Sequence, residues 1–92
     1  MPLLSDEDIQ DKLGGLEGWE RVEDQITKVY KLKNYVESVG FAAKITLLAE
    51  RADHHPDILL QYNKVTVTLT THSDGGITEK DFSLAREIEG VF

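Results

Sequence analysis

Three histidines are the residues of this chain best suited to acid–base chemistry. His54 and His55 are adjacent and are followed at once by Pro56. His72 comes later, at the end of a strand-like run. An imidazole has an unperturbed pKa of about 6.5, so a pair can offer a proton donor and an acceptor at neutral pH. Glu50 lies four residues before His54, within reach to orient it on a helix. Such a site suits the addition or removal of water.

Two other interpretations of the histidines stay open at this level. Three His ligands with an open position form a known zinc site, but neighbouring side chains on a helix point about 100° apart. Glu50, Asp53 and Asp81 are the evident candidates to hold the rings in such a site. Alternatively, a histidine near a helix C-terminus is favoured by the dipole and needs no function. Asp81 would then only cap its helix, and Trp19 would belong to the core.

Length and composition narrow the classes of protein. The chain has 92 residues, 17 acidic against 10 basic, a net charge of −7 and no cysteine. One domain is expected, since two would each lack an adequate core. The acidic balance argues against a nucleic-acid or anionic membrane surface. Disulfides, thiolate nucleophiles and Cys-based metal sites are excluded.

No apolar stretch approaches the roughly 20 residues of a membrane helix, and no secretory signal is visible, so a cytoplasmic location is expected.

Apolar periodicity predicts three helices. Ser5 can cap the first, which Gly14 and Gly15 end. The longest periodic segment covers residues 35–55, and its wide apolar arc predicts the central helix of the core. This helix delivers Glu50, His54 and His55 at its C-terminal end. Its two apolar stripes include Val36, Ala43 and Leu47 on one, and Phe41, Ile45 and Leu48 on the other. Thr78 and Asp81 resemble a capping box at the start of the last helix.

Alternating residues predict four strands in two hairpins. Residues 19–22 and 26–31 flank a polar turn, and residues 58–62 and 65–72 flank a turn at Asn63-Lys64. In the last strand valines and a leucine alternate with threonines, and His72 belongs to the threonine face by parity. The order α-β-β-α-β-β-α predicts an α+β fold with one antiparallel sheet and helices packed on one face. The strand order does not follow from this.

A spaced set of residues resembles the signature of the pterin-4a-carbinolamine dehydratases. The set comprises Glu50, His54-His55-Pro56, Tyr62, His72 and Asp81, and it spans 32 residues without a gap. The segments Leu-Glu-Gly-Trp at 16–19, Tyr-Asn-Lys-Val at 62–65 and Thr-Thr-His at 70–72 are similar to the same family. The resemblance covers nearly the whole chain. One departure is Ile58, where the family has an aromatic residue, a change that bears on pterin affinity.

This resemblance implies a reaction. Family members remove water from 4a-hydroxytetrahydropterin to give quinonoid dihydropterin, which regenerates the pterin cofactor after aromatic amino-acid hydroxylation. It also implies a four-stranded antiparallel sheet with three helices, no metal or organic cofactor, and a homodimer or homotetramer. A non-catalytic scaffold or assembly role on the same fold is the alternative. Relatives serve as a dimerisation cofactor of a homeodomain transcription factor or act in Rubisco assembly, so a protein partner is a further expectation.

The resemblance also implies roles for individual residues. His54 and His72 would donate protons to the leaving hydroxyl, and His55 would be the base or position the pterin. Asp81 would orient a histidine. The residues expected to bind or approach the pterin are Glu50, Asp53, Trp19, Thr70 and Thr71.

Overall fold

Within residues 2–92, which the computed structural model describes, four antiparallel strands form one sheet in the order β1-β2-β4-β3. The strands are β1 (Glu20–Val22), β2 (Gln25–Lys31), β3 (Asp57–Gln61) and β4 (Lys64–Leu69). Both predicted hairpins form, and they join through β2 and β4. In that central pairing Ile26 lies opposite Leu69 and Tyr30 opposite Val65. The β3–β4 turn comprises Tyr62 and Asn63, one residue earlier than predicted.

The same residues contain three α-helices, each begun by a polar side chain that accepts a backbone N–H. They are α1 (Asp6–Leu13), α2 (Tyr35–Ala52) and α3 (Glu79–Val91). Ser5, Asn34 and Thr78 are the N-caps, and each side-chain oxygen replaces an acceptor missing from the first turn. No helix in the described part of the chain is both long and apolar enough to span a membrane.

The helices cover one face of the sheet. Val65, Val67 and Leu69 on β4 are fully buried, whereas the threonines between them are half-buried. Val29 of β2, on the opposite face, is 52% exposed. The core residues of the covering helices include Phe41, Ile45, Phe82 and Ile88. The predicted α+β fold, with its four-stranded antiparallel sheet and its order α-β-β-α-β-β-α, is confirmed.

Of the two apolar stripes on α2, one packs in the core and the other faces outward. Phe41 and Ile45 are buried, whereas Val36 is 79% exposed and Leu47 is 72% exposed. The wide apolar arc predicted a central helix of the core, and only one of its two stripes packs there. A helix that lies on a sheet with a single neighbouring helix buries only the side facing them, and the remainder of a wide apolar arc stays uncovered.

α2 ends at Ala52, so the adjacent histidines lie beyond the helix rather than on it as predicted. Asp53 takes the left-handed conformation with φ 50°, which aspartate tolerates better than most residues. Pro56 disfavours the α region for His55. His54, His55 and Pro56 therefore form an irregular connection between α2 and β3.

β4 ends at Leu69, so the prediction that His72 continues the threonine face of that strand was wrong. Thr71 forms an isolated bridge with Gly76, and the chain between them makes a short 3₁₀ helix, His72–Asp74. Gly75 closes this loop with φ 77°, a conformation that suits a residue without a Cβ. His72 therefore belongs to the loop that leads from the sheet into α3.

Candidate active site

The buried carboxylate of Asp81 lies in the first turn of α3. Its Oδ2 accepts a hydrogen bond from the backbone N–H of Thr78 at 2.9 Å, which completes the predicted capping box. Asp81 has no exposed surface, an uncommon position for a carboxylate unless donors surround it. The contacts of Asp81 with residues outside α3 therefore indicate its role.

Asp81 also holds the ring of His54. Asp81 Oδ1 lies 2.6 Å from His54 Nε2, and the His54 side chain is 11% exposed. Because a carboxylate can only accept, Nε2 carries the hydrogen of this bond. In the neutral ring Nδ1 is then the basic atom, and in the imidazolium it is the acidic one. Asp81 thus fixes the orientation of His54 and leaves Nδ1 for proton exchange.

Two buried threonines fix Asp81 in turn. Thr71 Oγ1 donates to Asp81 Oδ2 at 2.9 Å, and Thr78 Oγ1 lies 2.8 Å from Thr71 Oγ1. Since the Thr71 hydrogen goes to Asp81, the Thr78 hydroxyl donates to Thr71. The Thr78 oxygen also accepts the backbone N–H of Lys80 at 3.2 Å. This relay leaves the carboxylate little freedom to rotate away from His54.

His55 pairs with a different carboxylate. Its Nε2 lies 2.8 Å from Glu50 Oε1, and the two side chains are 59% and 77% exposed. The sequence argument paired Glu50 with His54, which was wrong because the four-residue spacing works only if the helix continues to His54. The left-handed turn at Asp53 redirects the chain, so His55 meets Glu50 instead. An exposed pair of this kind contributes little to stability.

All three imidazoles border one open cleft of about 210 Å³. It lies between the connection after α2 and the loop after β4. Its lining residues are Asp53, His54, His55, Thr70, Thr71, His72, Ser73 and Lys80. Five residues singled out from the sequence therefore lie close to His54, which Asp81 supports from behind, while Glu50 reaches the cleft by way of His55. The Thr70 hydroxyl donates to the backbone oxygen of Asp24 at 2.7 Å, so its hydrogen is already committed.

Trp19 does not join this group. It is 6% exposed, packs edge-on against Tyr30 and donates from Nε1 to Glu89 Oε2 at 3.3 Å. Glu89 comes eight residues after Asp81 on α3, or about 12 Å further along the helix axis. Within this chain, Trp19 therefore belongs to the core at the other end of α3.

Sequence reasoning missed three residues at the site. Ser73 and Lys80 line the cleft, and Thr78 supports Asp81 through Thr71. The capping-box spacing of Thr78 and Asp81 was a usable signal for Thr78. Ser73 and Lys80 carry no such signal in the sequence.

Among residues 2–92, no group of three or more histidines, aspartates and glutamates is arranged to hold a metal ion. The hydrogen-bonding atoms of the cleft instead suit proton transfer, since His54 and His55 each have one nitrogen held by a carboxylate.

The fold and the site together define a class of protein, an α+β domain with a histidine cleft at the ends of α2 and β4. The family model described as pterin 4 alpha carbinolamine dehydratase matches residues 2–91. The chain belongs to this family, and the membership predicted from the sequence is confirmed.

Similar proteins cover nearly the same length. One from Sulfolobus acidocaldarius is 46% identical over 88 residues, which are 96% of this chain and 97% of that protein. One from a Picosynechococcus species is 50% identical over 82 residues, or 89% of each chain. Both carry the provisional name pterin-4-alpha-carbinolamine dehydratase.

Two solved structures are similar in fold. A crystal structure named transcriptional coactivator/pterin dehydratase, from Brucella melitensis, has a TM-score of 0.93 at 38% identity and covers 97% of both chains. A pterin dehydratase-like protein identified as a RuBisCO assembly factor in the alpha-carboxysome has a TM-score of 0.65 at 19% identity. It covers 79% of this chain and 84% of that one, and at this identity the likeness concerns the fold alone.

Proposed function

We propose that this protein is a hydro-lyase that dehydrates 4a-hydroxytetrahydropterin to quinonoid dihydropterin by histidine acid–base catalysis. The observation that carries the proposal is the set of three imidazoles bordering one cleft, with His54 held by a buried carboxylate. Family membership supports the same substrate class. Recycling of tetrahydrobiopterin is the corresponding pathway. A cytosolic location stays a prediction of the sequence.

The reaction needs two proton transfers at neighbouring atoms. The bond from C4a to the hydroxyl oxygen breaks, and the oxygen gains a proton to leave as water. N5 loses its proton, and the electrons of that N–H bond form the double bond between N5 and C4a. A general acid and a general base in one pocket each contribute about 10²–10⁴-fold to the rate. Residues that can hold and release protons within one cleft meet this requirement without a redox step.

His54 is suited to the acid role. When its ring is an imidazolium, the Asp81 carboxylate stabilises the charge through Nε2 and Nδ1 holds the transferable proton. His72, on the exposed loop that faces it across the cleft, would be the second donor to the hydroxyl. His55, held by Glu50, would take the proton from N5 or position the ring.

The remaining cleft residues would hold the pterin. Asp53, Thr70 and Thr71 form part of the wall, and Glu50 adds a carboxylate beside His55. Because the hydroxyl hydrogens of both threonines are engaged within the protein, their hydroxyl oxygens would act towards the pterin only as acceptors. Trp19 is not part of the proposed binding set, since its indole is buried against Tyr30 and Glu89.

The dehydration rate tests the proposal directly. The carbinolamine loses water slowly by itself, and we expect the wild type to accelerate that loss and His55→Ala and His54→Ala to remove most of the acceleration. Lys44→Gln, a change at an exposed residue of α2 outside the cleft, should leave the rate unchanged. A wild-type rate equal to the spontaneous rate, and equal to that of His55→Ala, would rule the enzyme out.

A scaffold or assembly role is the second candidate. The outward face of α2 exposes Val36, Val39 and Leu47, an apolar stripe suited to a protein contact or to a homodimer or homotetramer. The coactivator in the name of the similar Brucella protein points the same way. A purified chain that binds a defined partner stably but does not accelerate dehydration would reverse the ranking of the two functions.

A further inference from the structure

A groove between the end of α2 and the exposed side of α3 adjoins the histidine cleft. Its volume is about 240 Å³, and it runs along Lys80, Ser83 and Glu87 on α3. His54 and Lys80 line both the groove and the cleft, so the two spaces meet at these side chains. The proposed reaction makes use of the cleft side of His54 and gives the groove no role.

The size of the histidine cleft makes the groove relevant to binding. Sites for small organic ligands usually enclose about 300–1,000 Å³. Neither the cleft of about 210 Å³ nor the groove of about 240 Å³ reaches that range, whereas the two together do. A bicyclic ring that carries a substituent would need both spaces, with the ring in one and the substituent in the other.

The polar atoms of the groove can bind hydroxyl groups. Ser83 offers an exposed hydroxyl, which can donate and accept. Glu87 is bound to Arg51 through Oε2, which leaves Oε1 as an acceptor. Glu79 is engaged by Lys12 and Arg86 at both of its oxygens. A hydroxylated substituent would therefore find a donor and an acceptor at Ser83 and a further acceptor at Glu87.

The apolar atoms of the groove suit the carbon skeleton of such a substituent. Ala52 and the buried Leu84 contribute methyl groups to its lining. Lys80 stands where the two spaces meet, and its flexible stem can move without breaking any side-chain ion pair among the described residues. A short polyol chain could therefore enter the groove from the cleft past His54.

Resting on the proposed function, we propose that this groove is the subsite for a hydroxylated side chain at C6 of the pterin, with Ser83 and Glu87 as its specificity-determining residues. The pterin ring then occupies the histidine cleft. The side chain passes Lys80 and lies along α3. Binding there ties the orientation of the ring to the substituent, so the histidines meet the same edge of the ring in each turnover.

The test compares two carbinolamines that differ only at C6. One carries a methyl group, and the other carries a 1,2-dihydroxypropyl chain. We expect the wild type to have the higher kcat/KM for the hydroxylated substrate. Ser83→Ala and Glu87→Met should each lower that value about fivefold, as expected for one lost hydrogen bond, and leave the methyl substrate unaffected. Ala and Met are both good helix formers, so α3 should fold.

Arg51→Met is the matched control. Like Glu87→Met, it removes the ion pair between Arg51 and Glu87, but it keeps the Glu87 carboxylate. Arg51 does not line the groove. It should leave both substrates unaffected. Equal kcat/KM values of the wild type for the two substrates, or an equal loss for both in the variants, would overturn the subsite. A loss in Arg51→Met as large as that in Glu87→Met would overturn the role of Glu87.

Equilibrium binding separates this proposal from the proposed function. The two corresponding 7,8-dihydropterins cannot lose a 4a-hydroxyl, so calorimetry measures their affinity without turnover. Tighter binding of the hydroxylated compound, weakened in Ser83→Ala, would support the subsite even if neither carbinolamine were dehydrated faster than its spontaneous rate. Equal affinities would overturn it even if both were dehydrated.

Discussion

The two ends of α3 each hold a carboxylate that binds side chains from other elements, yet the two are suited to different work. Asp81 in the first turn is fully buried and accepts from His54, which borders an open cleft. The Glu89 side chain in the last turn is 29% exposed and accepts from Lys28 Nζ at 2.8 Å. An imidazole exchanges protons near neutral pH, whereas a lysine ammonium stays charged. The same kind of contact therefore suits catalysis at one end and stability at the other.

The neighbours of Glu89 extend this contrast. Glu89 also accepts from the phenol of Tyr30 and the indole of Trp19, both buried in the core. Burial acts to raise the pKa of Glu89, but hydrogen bonds from Lys28 and Tyr30 outweigh it and lower that pKa below its ordinary value. Burial and the hydrogen bond to Glu89 raise the pKa of Tyr30. Glu89 therefore stays ionised and Tyr30 stays protonated around neutral pH.

The largest effect is expected at the N-terminal end of α3. Asp81→Asn replaces one acceptor oxygen by an NH₂ group, which must then face a donor, either His54 or the pair Thr71 and Thr78. The His54 ring would lose its fixed orientation and its counter-charge. We expect the dehydration rate to fall by about 10²–10⁴-fold, measured on a single turnover of the carbinolamine.

Asp8→Asn is the matched control for that variant. Asp8 occupies the same third position of α1 that Asp81 occupies in α3, but it is exposed and lies outside the cleft. This control should keep wild-type activity. If Asp81→Asn also kept it, with its helical circular dichroism unchanged, Asp81 would be a helix cap and nothing more.

A smaller effect, on stability alone, is expected at the other end. Glu89→Gln removes the charge that Lys28 faces and weakens the bonds from Tyr30 and Trp19. Because Glu89 is partly exposed, we expect the free energy of unfolding to fall by only about 1 kcal/mol in urea. The dehydration rate per folded molecule should stay unchanged. A rate loss comparable to that of Asp81→Asn would abolish the contrast between the two ends.

The smallest effect is expected in the pH dependence of the stability. A carboxylate whose pKa is lowered in the folded state contributes stability above its unfolded pKa and loses it as the pH falls through the folded value. The stability difference between wild type and Glu89→Gln should therefore be constant from pH 7 to about pH 5. It should shrink below about pH 4.3, the ordinary pKa of a glutamate. Urea unfolding at several pH values measures it, and a difference that grows on acidification would contradict the assignment.

Local patterns predicted the elements of this fold, and distant contacts account for what they left open. Period-2 alternation and apolar periodicity were sufficient for two hairpins and three helices. They did not determine that β2 pairs with β4, because residues such as Tyr30 and Val65 are far apart in the chain. The outward stripe of α2, with Val36 and Leu47, also escaped prediction, since periodicity marks apolar faces without saying which of them a neighbour covers.

The candidate site, too, was predicted only in part from the sequence. The family resemblance predicted that His54 and His72 belong to one site, and the capping-box spacing marked Asp81. The partner of Glu50 was predicted wrongly, because a single left-handed residue, Asp53, ends the helix before the histidines. Spacing along a helix is informative only while the helix continues, and the place where it ends depends on one residue's conformation.

A crystal structure with a bound 7,8-dihydropterin tests the central claim most directly. We expect the bicyclic ring to lie in the cleft with C4a and N5 within hydrogen-bonding distance of the imidazoles, and His54 Nδ1 to face the side from which the hydroxyl leaves. A ring bound elsewhere on the protein, or imidazoles that turn away from C4a and N5, would contradict the account.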